Sequence, residues 1–399
     1  MWVFCLGIIA LFLSFDIYAN WNVTSGIDIS ARLYNKDDSF FVNKQDFEWD
    51  PSLWFDVSYS NNETRLDFAF KPVFGIAPNN NEVPNFDVSE LFVRKQYQDW
   101  QWQVGMDTIF WGVAESRHLV DTVNQIVFVR NLEGESKLGE LILRLDYFTE
   151  NGRLSFLSLP AFRERRFAEH TDRLSIPGQV IDSTFVGQSK HDHSSYIVRY
   201  SMVLDDWDLA AYHYDGMGRE PTIIPSEDMS RGLNNSGLIA VYQHLTQWAL
   251  EAQYTSDNWL GKFEAVHRDK YVSGDSWAYI AGLEYYFYGV FLGTKDLSVL
   301  VELLRDTDQF TQENKSFNNS TFAGLRLTWN DDAETSLLLG TMIDNNGDSI
   351  TVKGNFDTRI NDNLSIKIEA RVFTEQERFQ PLYAYKDDDF FQVTLNYFF

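Results

Sequence analysis

Cysteine occurs once, at Cys5, in a chain of 399 residues, so no disulfide framework can form and no Cys/His spacing describes a zinc site. Basic side chains are scarce: 33 Lys and Arg against 58 Asp and Glu give a net charge of -25. That balance argues against a nucleic-acid partner, because phosphate contacts need a positive surface. Prolines number only 9, with no Pro/Ser-rich linker at which to divide the chain. Beyond the N-terminal segment no apolar run is long enough for a membrane helix. Aromatic residues, by contrast, make up 16% of the chain, with 32 Phe, 19 Tyr and 12 Trp. Such a composition needs a large surface on which aromatic rings are at home, without helical spans to carry it.

Met1 to Ala19 is a short apolar core ending near a small residue, which reads as a secretory signal peptide and leaves 20–399 as the mature chain. From there the sequence alternates with period two in run after run. Phe391, Val393, Leu395, Tyr397 and Phe399 share one face, and Gln392, Thr394 and Asn396 the other. Leu364, Ile366, Ile368, Ala370 and Val372 alternate in the same way with Ser365, Lys367, Glu369 and Arg371. About eighteen such runs can be counted, sixteen being the alternative, and the links between them alternate short and long. Tight periplasmic turns and long, acidic extracellular loops are the asymmetry of an outer-membrane barrel. Tryptophans and tyrosines recur at strand ends (Trp54, Trp100, Trp207, Trp259, Trp277, Tyr285, Trp329), as interfacial girdles require. The fold class is therefore all-β: a transmembrane antiparallel up-and-down β-barrel, without a plug domain. The long run 238–254 slips phase near His244-Leu245 and is read as one bulged strand. Phe399 closes the last strand as the signal to a barrel-assembly machinery, with outer-membrane lipids and lipopolysaccharide as the surroundings.

If the apolar parity faces lipid, the other parity lines the lumen, because a charge at mid-membrane costs about 2–4 kcal/mol on the lipid face. That assigns Arg144, Arg199, Lys262, Glu264, Glu302, Arg326, Lys353, Asp357, Arg359, Lys367, Glu369 and Arg371 to the inner wall. Both signs are present and the basic ones predominate, so the acidic excess belongs in loops and turns. Such side chains either knit neighbouring strands together or guide ionic and hydroxylated solutes, as charged rings do in pores.

Residues 110–136 follow the fifth strand as its third long loop. Leu119, Val120, Val123, Ile126 and Val127 are too apolar for a loop in solvent and repeat with helical spacing. A short inward-packed helix is expected, with Glu115, Ser116, Arg117, Asp121, Asn124 and Gln125 on its polar side, narrowing the pore. Arg163, Arg165 and Arg166 leave the seventh strand as a basic cluster and are candidates to reach Glu115 or Asp121 across the mouth. His191-Asp192-His193 could bind a metal, although such loop histidines are more often solvated, and neither metal nor cofactor is assigned. No histidine sits in a recognisable motif with a serine, so catalysis is not expected.

The combination Phe110-Trp111-Gly112, Glu115-Ser116, Val120-Asp121-Thr122-Val123-Asn124-Gln125, and Leu159-Pro160 with Phe162-Arg163-Glu164-Arg165 resembles a widespread family of porin-like outer-membrane proteins of Gram-negative bacteria. The resemblance covers residues 88–175, and more distantly it extends to eighteen-stranded barrels of the alginate-export type. It implies a channel in the outer membrane for small polar or ionic solutes. The wall lacks the dense Arg/Lys lining of an alginate exporter. The alternative is an export conduit for a polymer or lipid, working with an inner-membrane or periplasmic partner.

Overall fold

A strand that alternates residue by residue leaves its backbone N–H and C=O groups pointing sideways, and these must find a neighbouring strand. In the computed structural model of the chain they pair around a closed ring. The structure describes residues 20–35, 46–76, 83–128, 130, 134, 136–169, 172–176, 178–187, 193–226, 237–308, 318–345, 347, 349–374, 376 and 385–399. The expected signal peptide, 1–19, lies outside them, as do His191 and Asp192.

The strands of the first half are β1 (Trp21–Tyr34), β2 (Phe47–Asn61), β3 (Leu66–Gly75), β4 (Phe86–Tyr97), β5 (Trp100–Asp107), β6 (Glu140–Phe148), β7 (Gly152–Leu159), β8 (Val180–Val186), β9 (Ser195–Leu204) and β10 (Trp207–Met217). Those of the second are β11 (Thr222–Pro225), β12 (Leu238–Thr255), β13 (Trp259–Lys270), β14 (Gly274–Gly289), β15 (Lys295–Asp306), β16 (Asn319–Trp329), β17 (Ser336–Asp344), β18 (Ile350–Asn361), β19 (Leu364–Thr374) and β20 (Phe390–Phe398). β8 and β11 pair only with β12, and the other eighteen form a closed antiparallel up-and-down barrel. The last strand closes on the first from Gly26↔Phe398 to Tyr34↔Phe390. Eighteen wall strands thus stand where eighteen alternating runs were read, which excludes sixteen.

Two details depart from the sequence reading. β12 is one strand, but no bulge falls at His244-Leu245. Leu245–Thr255 pairs with β13 in the wall, whereas Leu238–Gln243 rises past it to meet β11 and, in parallel, β8. The phase slip marks a change of surroundings: above the wall both faces of β12 are covered. Trp54 does not join a girdle either. It lies inward over Gly26, where an added Cβ would come within 2.4 Å of its ring, and its indole donates to Asp28 at 3.1 Å.

Outward-facing side chains are apolar and exposed, as in β6, where Leu141, Leu143 and Leu145 face out while Ile142 and Asp146 are fully covered inside. At the short-turn end the exterior carries aromatic pairs: Trp21–Tyr59, Trp100–Tyr147, Trp207–Tyr254 and Trp259–Tyr285. At the long-loop end it carries Trp49, the Phe74–Phe86 pair, Trp248 and Trp277. Two aromatic belts around an apolar band are the surface that a bilayer solvates.

Candidate functional site

A barrel of this strand number is too wide for its own side chains to fill, and here the third long loop occupies part of the space. β5 stops at Asp107. The side chain of Asn124 takes over from the ladder: its Oδ1 accepts from the Ile109 amide at 2.8 Å, and its Nδ2 donates to the carbonyls of Asp107 and Leu138. From there the chain crosses the lumen. Trp111, Leu119, Val120 and Val123 pack against inward residues of the wall from Ile142 and Leu157 through Ile197, Tyr212 and Leu245 to Val266, Ile280 and Leu304.

The loop is folded inward, but it is not a helix. Its backbone between Phe110 and Gln125 follows bends and turns, and its donors go to the wall. Glu264 on β13 accepts the amides of Val113 (2.7 Å) and Ala114 (2.9 Å) on one oxygen and of Leu119 (2.8 Å) and Val120 (3.3 Å) on the other. Glu302 on β15 accepts those of Glu115 and Ser116, both at 2.8 Å. A buried loop must satisfy its own polar backbone, and two carboxylates do this in place of a helical ladder. Each hydrogen bond to a charged group contributes about 1.5–3 kcal/mol, so this pair fixes the loop firmly. Gly112 makes the approach possible. Its φ of 120° is open to glycine, and an added Cβ would lie 2.9 Å from Glu264 Oε1.

Glu115 extends from the loop to the opposite wall, where Arg326 donates to it at 2.5 Å and Lys353 lies 3.7 Å away. Burial tends to raise its pKa, but Arg326, Lys353 and Lys262 outweigh burial and hold the carboxyl below its ordinary value. Lys262 and Arg326 also flank Glu284, at 3.5 and 3.9 Å. Loop and wall together form a collar of alternating charge. Arg117 lies 3.7 Å from Asp306, which also pairs with Arg268 at 3.2 Å. Asp121 pairs within its own loop with Lys137. Burial outweighs that partner and pushes the Asp121 carboxyl up to about 6. Gln125 donates to the Arg219 carbonyl at 2.8 Å, tying this loop to the one after β10. Ser116 contributes its amide, and its hydroxyl has no protein partner.

The basic cluster after β7 does not reach Glu115 or Asp121. Arg163 bonds Asp87 at 2.8 Å and the Gly139 carbonyl at 2.9 Å, Arg165 donates to Gln125 Oε1 at 3.2 Å, and Arg166 is exposed. Lys137 and Arg326 already occupy the two carboxylates.

Of the inner-wall residues, Arg199 pairs with Glu251 (2.8 Å), Arg144 with Asp146 (2.9 Å) and Arg371 with Glu369 (3.3 Å). Asp357 stands across from Lys367 in the β18–β19 register, and Arg359 meets Glu334 at the exposed rim (3.2 Å). Sequence reasoning missed Lys137, Arg219, Arg268 and Asp306. The last two lie on the inward parity and were legible there. Arg219, just beyond β10, carries no periodic signal. Among the described residues no group of His, Cys, Asp or Glu is arranged to hold a metal ion.

Above the third long loop, towards the long-loop end, lies a cavity of about 360 Å³. The loops that follow β5, β7 and β10 cover it, and β16 to β19 form one side. Its lining has seven basic side chains (Arg117, Arg165, Arg219, Arg268, Lys270, Lys353, Arg371) and two acidic ones, Asp121 and Glu220.

No family model and no curated protein sequence matches the chain. Among solved structures, it is similar to OccAB4 of Acinetobacter baumannii, with TM-score 0.55 and 7% identity over 96% of this chain and 98% of that one. OmpT, an outer membrane protein of Vibrio cholerae, aligns at TM-score 0.48 and 8% identity over 95% of this chain and 100% of the other. A mutant of the Rhodopseudomonas blastica porin aligns at TM-score 0.45 and 9% identity with the same coverage. At such identities the OccAB4 likeness is one of fold.

Proposed function

We propose that this chain is an outer-membrane channel of the porin type, passing small polar or ionic solutes through a lumen narrowed by the third long loop. The observation that carries this reading is the two-sidedness of a closed eighteen-stranded wall: exposed leucines and aromatic belts outside, and an ionic lining inside. Water is the only solvent for that lining, and lipid is the natural one for the exterior. In this reading the short turns face the periplasm and the long loops the outside, where lipopolysaccharide surrounds the Trp248 and Trp277 belt. Phe399 is the residue by which assembly machinery recognises the last strand. The family likeness carried by Phe110-Trp111-Gly112 has a physical counterpart, since Gly112 lets the loop reach Glu264 and Trp111 seats it against Tyr212, ring centroids 5.0 Å apart.

The test is reconstitution of the purified chain into planar bilayers under a salt gradient. Discrete, uniform conductance steps are expected. Folded protein that incorporates and yields no steps would remove the reading.

A further inference from the structure

Eight links join wall strands at the short-turn end, and seven of them carry no apolar side chain larger than that of Ala333: 62–65, 98–99, 149–151, 205–206, 256–258, 330–335 and 362–363. The eighth, 290–294 between β14 and β15, reads Val-Phe-Leu-Gly-Thr. Leu292 is 102% exposed and Phe291 65%. The turn that presents them is fixed by its own bonds. The Gly289 amide donates to Asp296 Oδ1 at 2.8 Å, Thr294 Oγ1 donates to the Phe291 carbonyl at 2.8 Å, and the Asn330 amide donates to the Thr294 carbonyl at 3.0 Å. Phe291 and Leu292 are held there at φ of 50° and 64°, left-handed values that residues with a Cβ rarely adopt. Such a conformation persists where the surroundings over-determine it. A built turn therefore carries two large apolar side chains past the end of the wall, and exposed apolar surface of this kind marks a contact with a partner or a membrane.

Two features say which. First, the turn continues the aromatic belt on the outside of the barrel. Phe287, 44% exposed, stands opposite Leu297 just before it, and Trp329 stands opposite Lys295 just after it. Second, Lys295 belongs to the same outer face. Its ammonium lies 4.5 Å over the Trp329 ring and 5.6 Å over that of Phe291, and it makes no ion pair among the described residues. A lysine whose head is free above aromatic rings suits the edge of a hydrocarbon layer, where phosphates are at hand. A protein pocket would have to supply a carboxylate of its own.

We propose that the β14–β15 turn is a membrane hook: Phe291 and Leu292 enter the phospholipid leaflet beside the short-turn end, and Lys295 pairs with a lipid phosphate. Burying one such side chain shifts an equilibrium by more than about tenfold, so the hook holds β14 and β15 at a set height in the bilayer while the other seven turns stay in water. The inference rests on the reading of the barrel as a membrane protein and adds a lipid contact that the alternating wall does not supply.

The experiment uses the full barrel in a Cys5→Ser background, reconstituted in vesicles of phosphatidylcholine and phosphatidylglycerol, with single cysteines carrying an environment-sensitive fluorophore. Leu292→Cys probes the hook, Asp257→Cys an ordinary turn and Leu395→Cys the outer wall. Leu292 is wholly exposed, so its replacement leaves the packing of the barrel unchanged. Brominated phospholipid should quench the labels at 292 and 395 and leave the label at 257 bright. Adding Lys295→Glu should lower the quenching at 292. A label at 292 as bright as that at 257, with 395 quenched, would overturn the hook and leave the membrane barrel in place. Equal quenching at 257 and 292 would also overturn it, since nothing would then set this turn apart. A label at 292 that is bright in vesicles and becomes shielded only as the protein-to-lipid ratio rises would overturn it in favour of a second copy of the chain. A bright label at 395 would remove the membrane reading itself. Unchanged quenching in Lys295→Glu would overturn the phosphate contact.

Discussion

The inner wall of the barrel is two different surfaces. From β6 to β15, the closed half, Ile142, Leu157, Ile197, Tyr214, Leu245, Val266, Ile280 and Leu304 form one buried cluster with the third long loop, interleaved with ion pairs such as Arg144–Asp146, Arg199–Glu251 and Lys262–Glu284. From β16 round through β20 and β1 to β5, the open half, Asp357, Lys367, Thr394, Ser30 and Lys71 lie outside that cluster. The outside shows no such division. The lesson is that the loop goes where the wall has clustered apolar side chains to receive it. The same alternation that satisfies lipid on one face therefore encodes, on the other, which half of the lumen is closed.

The largest test of that contrast places one charge in each half. Val120→Asp buries a carboxylate among the apolar residues of the closed half and should cost about 3 kcal/mol or more. Thr394→Asp in the open half should change stability by less than about 0.5 kcal/mol. Urea unfolding of both variants in liposomes checks this, and equal costs would erase the distinction.

Next in size is the clamp. Glu264→Gln with Glu302→Gln exchanges charged acceptors for amides, each of which also points a donor at backbone donors. A loss of about 2–3 kcal/mol in loop anchoring should raise single-channel conductance several-fold. Unchanged conductance with unchanged stability would show that the carboxylates hold nothing.

A smaller effect follows from Asp121, whose pKa of about 6 lies above its ordinary 3.8. The folded chain holds this proton more tightly than the unfolded one. The associated stability is full below pH 3.8 and is lost as pH rises through about 6. Acidifying from pH 7 to 5 should therefore tighten the loop, and by removing a negative charge from the cavity lining it should shift the reversal potential towards anions. A shift towards cations would contradict the assignment.

Smallest of all, Arg359→Ala removes an exposed rim pair with Glu334 and should cost no more than about 0.5 kcal/mol.

The strands were legible because period two is a local property: the run from Leu364 to Val372 states its own two faces. The inward loop was legible from Leu119, Val120 and Val123, which are 2%, 0% and 0% exposed. Its backbone was not. Helical spacing of apolar residues specifies burial, while the hydrogen bonds that decide between helix and irregular loop come from Glu264 and Glu302, distant in the chain. Both were assigned to the lumen wall, and nothing in their own strands says that they face amides. Local covering of the inner wall could have been read from β6, where Leu141, Ile142 and Leu143 are apolar on both parities. Arg219 and the outer strands β8 and β11 depend on loop packing that leaves no periodic trace.

The two-sided wall is tested most directly by adjacent cysteines. Cys5 is the one native cysteine, so Thr394→Cys and Leu395→Cys each place a thiol at a known parity in β20. In liposome-reconstituted protein, a charged, water-soluble thiol reagent should modify Thr394→Cys and leave Leu395→Cys unreacted. Modification of Leu395→Cys with Thr394→Cys protected would place water outside and a dry core within, and would contradict the account.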